Sequence, residues 1–228
     1  MKRIDKIWLS MVFAICASAA ANDWSNLAIS SSEGIDLPKY SKASLKDPEF
    51  EAKAAFIFSV LYYTSEINIH QMNGASGNQV FINEEGSEAV FDKEGNLVTD
   101  CENMGSYNYA DGQKQPLTHF SIDILPWLRW GNCREDTTTI AQRIDAYVLD
   151  FELGLIVASS DKRGYFLPQD IDPSDPLLSV TLAFFIQAVE SSGLDLYSFI
   201  MSADHSKGYR LEFIEALKTG MSDLLLKA

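Results

Sequence analysis

Asp175-Pro176-Leu177-Leu178-Ser179-Val180-Thr181-Leu182-Ala183-Phe184-Phe185-Ile186-Gln187-Ala188-Val189 reads as a capped helix, and the rest of the architecture follows from it. An aspartate accepts hydrogen bonds from the N–H groups left open at a helix start, and a proline at the first helical position gives up a donor that would be idle anyway. Leu178, Leu182, Phe185 and Val189 then fall on one stripe until Gly193 stops the run. The same device occurs at Asp47-Pro48, where Phe50, Ala54, Ile57 and Leu61 follow and the pattern continues to about His70 before Asn73-Gly74 and Gly77-Asn78. Between the two, Asp136 and the threonines after it can cap a helix whose stripe is Ile140, Ile144, Tyr147, Phe151 and Leu155. Stretches near 194–203 and 207–226 carry helical spacing as well.

Only between 79 and 99 does the period change. Gln79-Val80-Phe81-Ile82 and Glu88-Ala89-Val90-Phe91 are short β-type runs, and Lys93-Glu94-Gly95-Asn96 leads into Leu97-Val98-Thr99, which predicts a small antiparallel hairpin or meander. No repeat and no long linker divides the chain. The expected fold is a predominantly α-helical α+β class, with residues 47–228 as one globular domain.

The chain has 228 residues, 46% of them apolar, and carries 18 Lys and Arg against 32 Asp and Glu, a formal balance of −14. That charge disfavours nucleic acid and anionic lipid as partners. Residues 1–21 read as a secretory signal peptide: Lys2, Arg3 and Lys6 precede the apolar run Ile7–Ile15, and Ala19 and Ala21 supply the small side chains signal peptidase needs. Cleavage is expected after Ala21, or two residues earlier, and a lipid anchor on Cys16 is the competing reading. The leader takes away three bases and one acid, so the remainder holds 15 bases against 31 acids, a balance of −16. The longest later apolar run, Leu177 to Val189, is about 13 residues, short of the roughly 20 that span a bilayer, so no transmembrane segment is expected in the mature chain. The expected place of work is the periplasm or beyond, and residues 22–46 look like an extended N-terminal arm.

Export changes the meaning of cysteine. Cleavage leaves Cys101 and Cys133, an even count that suggests one disulfide in an oxidising compartment. Such a bridge would contribute about 3–4 kcal/mol by restricting the unfolded chain. Two buried thiols or a metal site are the alternatives. Two cysteines without nearby histidine spacing make a poor zinc set, and His70, His119 and His205 form no ligand pair. Asp170, Asp172 and Asp175 lack the glycine and terminal glutamate of a calcium loop. No metal and no cofactor is expected.

The segment from Thr99 to Thr139 concentrates polar groups, aromatics and turn formers, and is expected to be a long loop with little regular structure, bracketed by the two cysteines. Within it His119 and Asp123 are four apart, so on a helical turn the carboxylate could orient the imidazole and raise its basicity. A nucleophile would have to come from Ser106, Tyr107, Ser121 or Thr137–Thr139, with Asn108 or Asn132 steadying developing charge, yet none sits in a specific nucleophile motif. The bland reading of the pair is a capping or surface contact. Tyr107, Asn108, Tyr109, Trp127, Arg129, Trp130 and Asn132 are the candidate binding residues: Trp127 and Trp130 could wall a sugar or peptide site with Arg129 as a charged contact. Core anchoring beside Pro126 is the competing role for the tryptophans.

Val90-Phe91-Asp92-Lys93-Glu94-Gly95-Asn96-Leu97-Val98-Thr99-Asp100, Asn103-Met104-Gly105-Ser106-Tyr107-Asn108-Tyr109, His119-Phe120, Asp123 to Trp127 and Gly131-Asn132 together resemble a module found near the C-terminal ends of rearrangement-hotspot (Rhs) type polymorphic toxins, over residues 90–139. The resemblance implies a role in contact-dependent competition between Gram-negative bacteria, as a toxin-like domain or as an associated protective factor. This chain departs from the large toxins in having no repeat shell and in carrying its own leader. Two functions are therefore expected to compete. One is an exported periplasmic interaction protein, immunity-like, whose acidic surface and braced loop engage a cationic protein or cell-envelope component. The other is a small envelope hydrolase using His119 as general base and Asp123 as its orienting carboxylate.

Overall fold

The computed structural model describes residues 44–202 and 207–227. The expected signal peptide at 1–21, nearly all of the expected arm at 22–46, and His205 lie outside the described residues; Ser44–Lys46 form one 3-10 turn. The two Asp-Pro starts form as the capping chemistry requires. Asp47 accepts from the N–H of Glu49 at the head of α1 (Pro48–Tyr63), and Asp175 accepts from the N–H of Leu177 at the head of α5 (Pro176–Glu190).

Two elements differ from the sequence expectation. α1 ends at Tyr63 rather than near His70: the Thr64 side chain bonds back to Val60, and Asp150 captures the N–H groups of Asn68 and Ile69 to start a separate 3-10 turn, Asn68–His70. The segment 99–139 is not an unstructured loop. It contains α2 (Pro116–His119), a π-helical turn (Phe120–Ile124) and α3 (Leu125–Trp130) in direct succession. Pro126 explains the widening. It has no N–H to give Ile122, and the N–H of Leu125 reaches back five residues to the carbonyl of Phe120. α4 (Ile140–Ser160) starts where the capping stretch predicts: Thr139, one of the threonines after Asp136, caps it in a reciprocal box with Gln142. α6 (Leu196–Met201) and α7 (Lys207–Leu226) complete the helices.

The helices pack around a phenylalanine-rich core in which Phe56, Phe120, Phe151, Phe184, Phe185 and Phe213 are fully buried. Each contributes about 2–3 kcal/mol of transfer free energy. Two crossings are closer than side chains normally allow: a Cβ on Gly154 would lie 2.5 Å from the Val60 carbonyl oxygen of α1, and one on Gly220 of α7 would lie 1.5 Å from that of Ala188 in α5. α1 against α4 and α5 against α7 therefore meet backbone to backbone.

β1 (Gln79–Ile82) and β2 (Glu88–Phe91) form a two-stranded antiparallel sheet in the register Gln79↔Phe91 to Ile82↔Glu88. Leu97 bridges to Phe91 and Tyr107 to Ser87 along the other edge of β2. The fold is a mostly helical α+β domain, and among the described residues no helix is long and apolar enough to cross a membrane.

Candidate functional site

Cys101 and Cys133 are joined in a disulfide, with their Cα atoms 5.6 Å apart. The neighbouring side chains stitch the same two ends together. Asn132 donates through Nδ2 to the carbonyls of Glu102 and Met104, and Thr137 donates through its hydroxyl to Glu102 at 2.5 Å. That hydroxyl holds the Glu102 carboxyl below its ordinary range. The bond thus fixes the loop 101–115 against the helical stretch 116–130.

His119 lies at the end of α2, and Asp123 one turn on, as their spacing predicts: Nδ1 is 2.9 Å from Oδ2 of Asp123 and 3.0 Å from the carbonyl oxygen of Ala110. Asp123 also accepts the backbone N–H groups of Tyr109 and Ala110, each at 3.1 Å. The other ring nitrogen meets a residue that the sequence reading did not single out. Nε2 is 2.7 Å from Oε1 of Glu66, an ion-pair distance approached off the N–H axis. Glu66 reaches it from a left-handed backbone, φ +55°, in the link after α1. Gly112 seals the pair, since a Cβ there would stand 3.3 Å from both Oε1 of Glu66 and the imidazole edge.

Burial of the imidazole, which is 3% exposed, opposes its charge, but the hydrogen bond Nδ1 makes to Asp123, the close contact of Nε2 with Glu66 and the charges of the two carboxylates outweigh it and push the pKa up to about 10. His119 is thus an imidazolium at neutral pH. Asp150 is fully buried and accepts from the N–H groups of Asn68 and Ile69 and from the Asn68 amide; burial raises its pKa and those bonds oppose the rise. Tyr147 is held far above the ordinary phenol range by burial first, then by the charges of Glu66 and Asp150.

A second buried pair ties the loop to the sheet. His70 Nε2 lies 3.7 Å from Oε2 of Glu88, while Glu88 accepts from the N–H and hydroxyl of Ser106 and from Nδ2 of Asn108. Asn108 is therefore a positioning residue for the loop. Asn103 does similar work, accepting the N–H of Met72 at 2.6 Å.

The remaining candidates separate clearly. Tyr107 and Tyr109 are exposed, with their rings edge to face. Trp130 is exposed, and Arg129 lies over its ring at 5.5 Å. Trp127 belongs to the hydrophobic core, so it is no part of an aromatic wall with Trp130; three residues apart on α3, one faces inward and the other outward. Ser106 bonds to Glu88, Ser121 to Leu117 and Thr181, Thr137 to Glu102, Thr138 to Asp136 and Thr139 to Gln142. None of these hydroxyls has a hydrogen bond to His119 among the described residues.

The class that fold and site define is thus a helical α+β domain that displays, from a small sheet and a disulfide-braced loop, an aromatic surface with acidic surroundings. No family model, no curated protein and no solved structure matches the chain.

Proposed function

We propose that the chain is an exported interaction protein of the periplasm, immunity-like in its role in competition between bacteria, and that its braced loop engages a cationic protein partner. One observation carries the reading. The histidine–aspartate pair that could have served acid–base chemistry is spent on holding the loop, while the same loop presents Tyr107 and Tyr109 to solvent. Rigid tyrosines with two rotatable bonds give large contact area at small entropic cost, which is how protein-binding surfaces use them. The acidic balance supports a cationic partner, and a disulfide fits an oxidising compartment. The hydrolase reading has less support, since a general base needs a neutral ring nitrogen facing substrate and both nitrogens of His119 face carboxylates.

The test is capture from a Gram-negative envelope extract by the mature protein, set beside the Tyr107→Ala/Tyr109→Ala variant. A protein retained by the first and lost from the second, at equal melting temperature, supports the reading. Equal capture by both overturns it.

A further inference from the structure

The hairpin register places Phe81, Ala89 and Phe91 on one face of the sheet, and the bridges Ser87↔Tyr107 and Phe91↔Leu97 bring Tyr107 and Leu97 onto that same face. Phe81 meets Phe91 edge to face at 5.7 Å between centroids. Phe81, Leu97, Tyr107 and Tyr109 are all exposed, from 39% at Tyr107 to 55% at Phe81. Phe81, Phe91, Leu97 and Tyr107 thus share one face of the sheet with the polar Gln79 and Ser87.

The same register leaves an edge open. The N–H of Asn83 donates to the carbonyl of Ser87, so the alternation of an antiparallel pair turns the backbone groups of Gln79 and Phe81 toward β2 and those of Val80 and Ile82 away from it. Among the described residues no strand pairs with that outer edge. Edge strands are commonly blunted by lysine, proline or a bulge, and Gln79–Ile82 carries no lysine or proline. Charge surrounds it asymmetrically: residues 79–113 hold eight acids against the one base Lys93, and Glu84 and Glu85 stand exposed in the turn that ends β1.

Resting on the interaction reading above, we propose that β1 receives an extended segment of the protein partner as an added strand. Main-chain hydrogen bonds form to Val80 and Ile82. Apolar side chains of the segment, alternating along it, cover Phe81, and its lysines or arginines meet Glu84 and Glu85. A second copy of this chain is the weaker occupant, because it would bring one acidic turn against another.

The test uses the mature, disulfide-bonded protein and a short fluorescein-labelled peptide of alternating lysine and isoleucine, with the same peptide N-methylated on alternate backbone nitrogens as control. The unmodified peptide binds, more weakly as salt rises, and the N-methylated one does not. Ile82→Pro removes an outward N–H that β1–β2 pairing does not use, and should weaken binding about tenfold, the effect of losing one interstrand hydrogen bond. Ile82→Thr keeps that N–H and should bind within about threefold of wild type. Glu84→Lys/Glu85→Lys should weaken binding and flatten its salt dependence. Equal binding of both peptides, or equal affinity of the two Ile82 variants, overturns strand addition. So does peptide-independent dimerisation that Ile82→Pro abolishes, which would give the edge to a second copy. Partner capture lost in the Tyr107→Ala/Tyr109→Ala variant but intact in Ile82→Pro sinks the added strand and leaves the interaction reading standing; capture that neither changes sinks both.

Discussion

Glu66 and His119 are joined at 2.7 Å across the link between α1 and the rest of the domain, and the glutamate adopts a left-handed backbone to make the contact. A non-glycine residue in that region costs about 1 kcal/mol or more, so the surrounding structure must favour it. Two carboxylates on one imidazole do so: Asp123 fixes Nδ1 and Glu66 faces Nε2. The result is a charged keystone that ties the end of α1, the loop at 109–112 and the α2–π junction together.

The pH dependence follows from that geometry. His119 has its folded pKa raised from 6.5 to about 10, so the stability it contributes is fully present below about 6.5 and drains away as pH rises through 10. Urea unfolding followed from neutral to alkaline pH should show this loss, and Glu66→Gln should make it smaller and complete at lower pH by removing one of the two charges. An imidazole NMR titration with its midpoint near 6.5 would contradict the keystone. His119→Leu leaves Glu66 and Asp123 facing an apolar group and should cost about 3 kcal/mol or more.

Removing the disulfide should cost less in shape than in stability. Cys101→Ser/Cys133→Ser relaxes the unfolded chain and is expected to lower unfolding free energy by about 3–4 kcal/mol, read from urea unfolding with midpoint and slope fitted separately, since the uncrosslinked chain exposes more surface. Asn132, Thr137 and Asn103 still hold the loop ends, so near-ultraviolet circular dichroism should be retained. An unchanged midpoint would show that the bond constrains nothing.

Local chemistry was legible in the sequence, and beyond the Cys101–Cys133 bond tertiary chemistry was not. Asp47-Pro48 and Asp175-Pro176 announce helix starts because a cap needs only residues two or three away. The hairpin was legible for the same reason, its turn being closed by Asn83 on Glu85 and Ser87. Glu66 gave no signal, since its role depends on a backbone conformation and a partner that only the folded chain supplies. Trp127 and Trp130 could not be told apart without the face α3 turns to the core, and the helical character of 116–130 was masked by Pro126, which reads as a breaker but here widens a turn.

Two glycines test the backbone contacts. In a free helix interior, alanine is better than glycine by about 1 kcal/mol. At Gly220 the added carbon would lie 1.5 Å from the Ala188 carbonyl oxygen, so α5 and α7 must separate, and Gly220→Ala should destabilise by about 3 kcal/mol. Gly154→Ala meets the Val60 oxygen at 2.5 Å and should cost less, about 1–2 kcal/mol. Thermal melting of both variants checks the order, and stabilisation in either would mean the crossing is looser than described.

Arg143 supplies the last test, because its guanidinium replaces the missing end of a helix. It is buried, and it donates to the carbonyls of Leu128 at 2.9 Å, Thr138 at 2.6 Å and Arg129 at 3.1 Å, with Asp136 at 3.9 Å as the nearest carboxylate. The Leu128 and Arg129 carbonyls belong to the last turn of α3, where a helix carries unsatisfied acceptors and partial negative charge. Desolvation lowers the arginine pKa somewhat and Asp136 opposes the shift, so the group stays cationic where a cation is favoured. Arg143→Met keeps the volume and removes every donor, leaving three carbonyls to find other partners. We expect a loss of about 2–4 kcal/mol in unfolding free energy, together with faster amide exchange at Gly131 and Asn132, whose N–H groups bond to Trp127 and Asp136 beside the freed turn. Arg143→Lys should recover less than half of the loss, since one ammonium cannot reach three carbonyls in the fan the guanidinium spans. Full rescue by lysine would mean that charge alone, rather than the shape of the donor, holds α3 against α4.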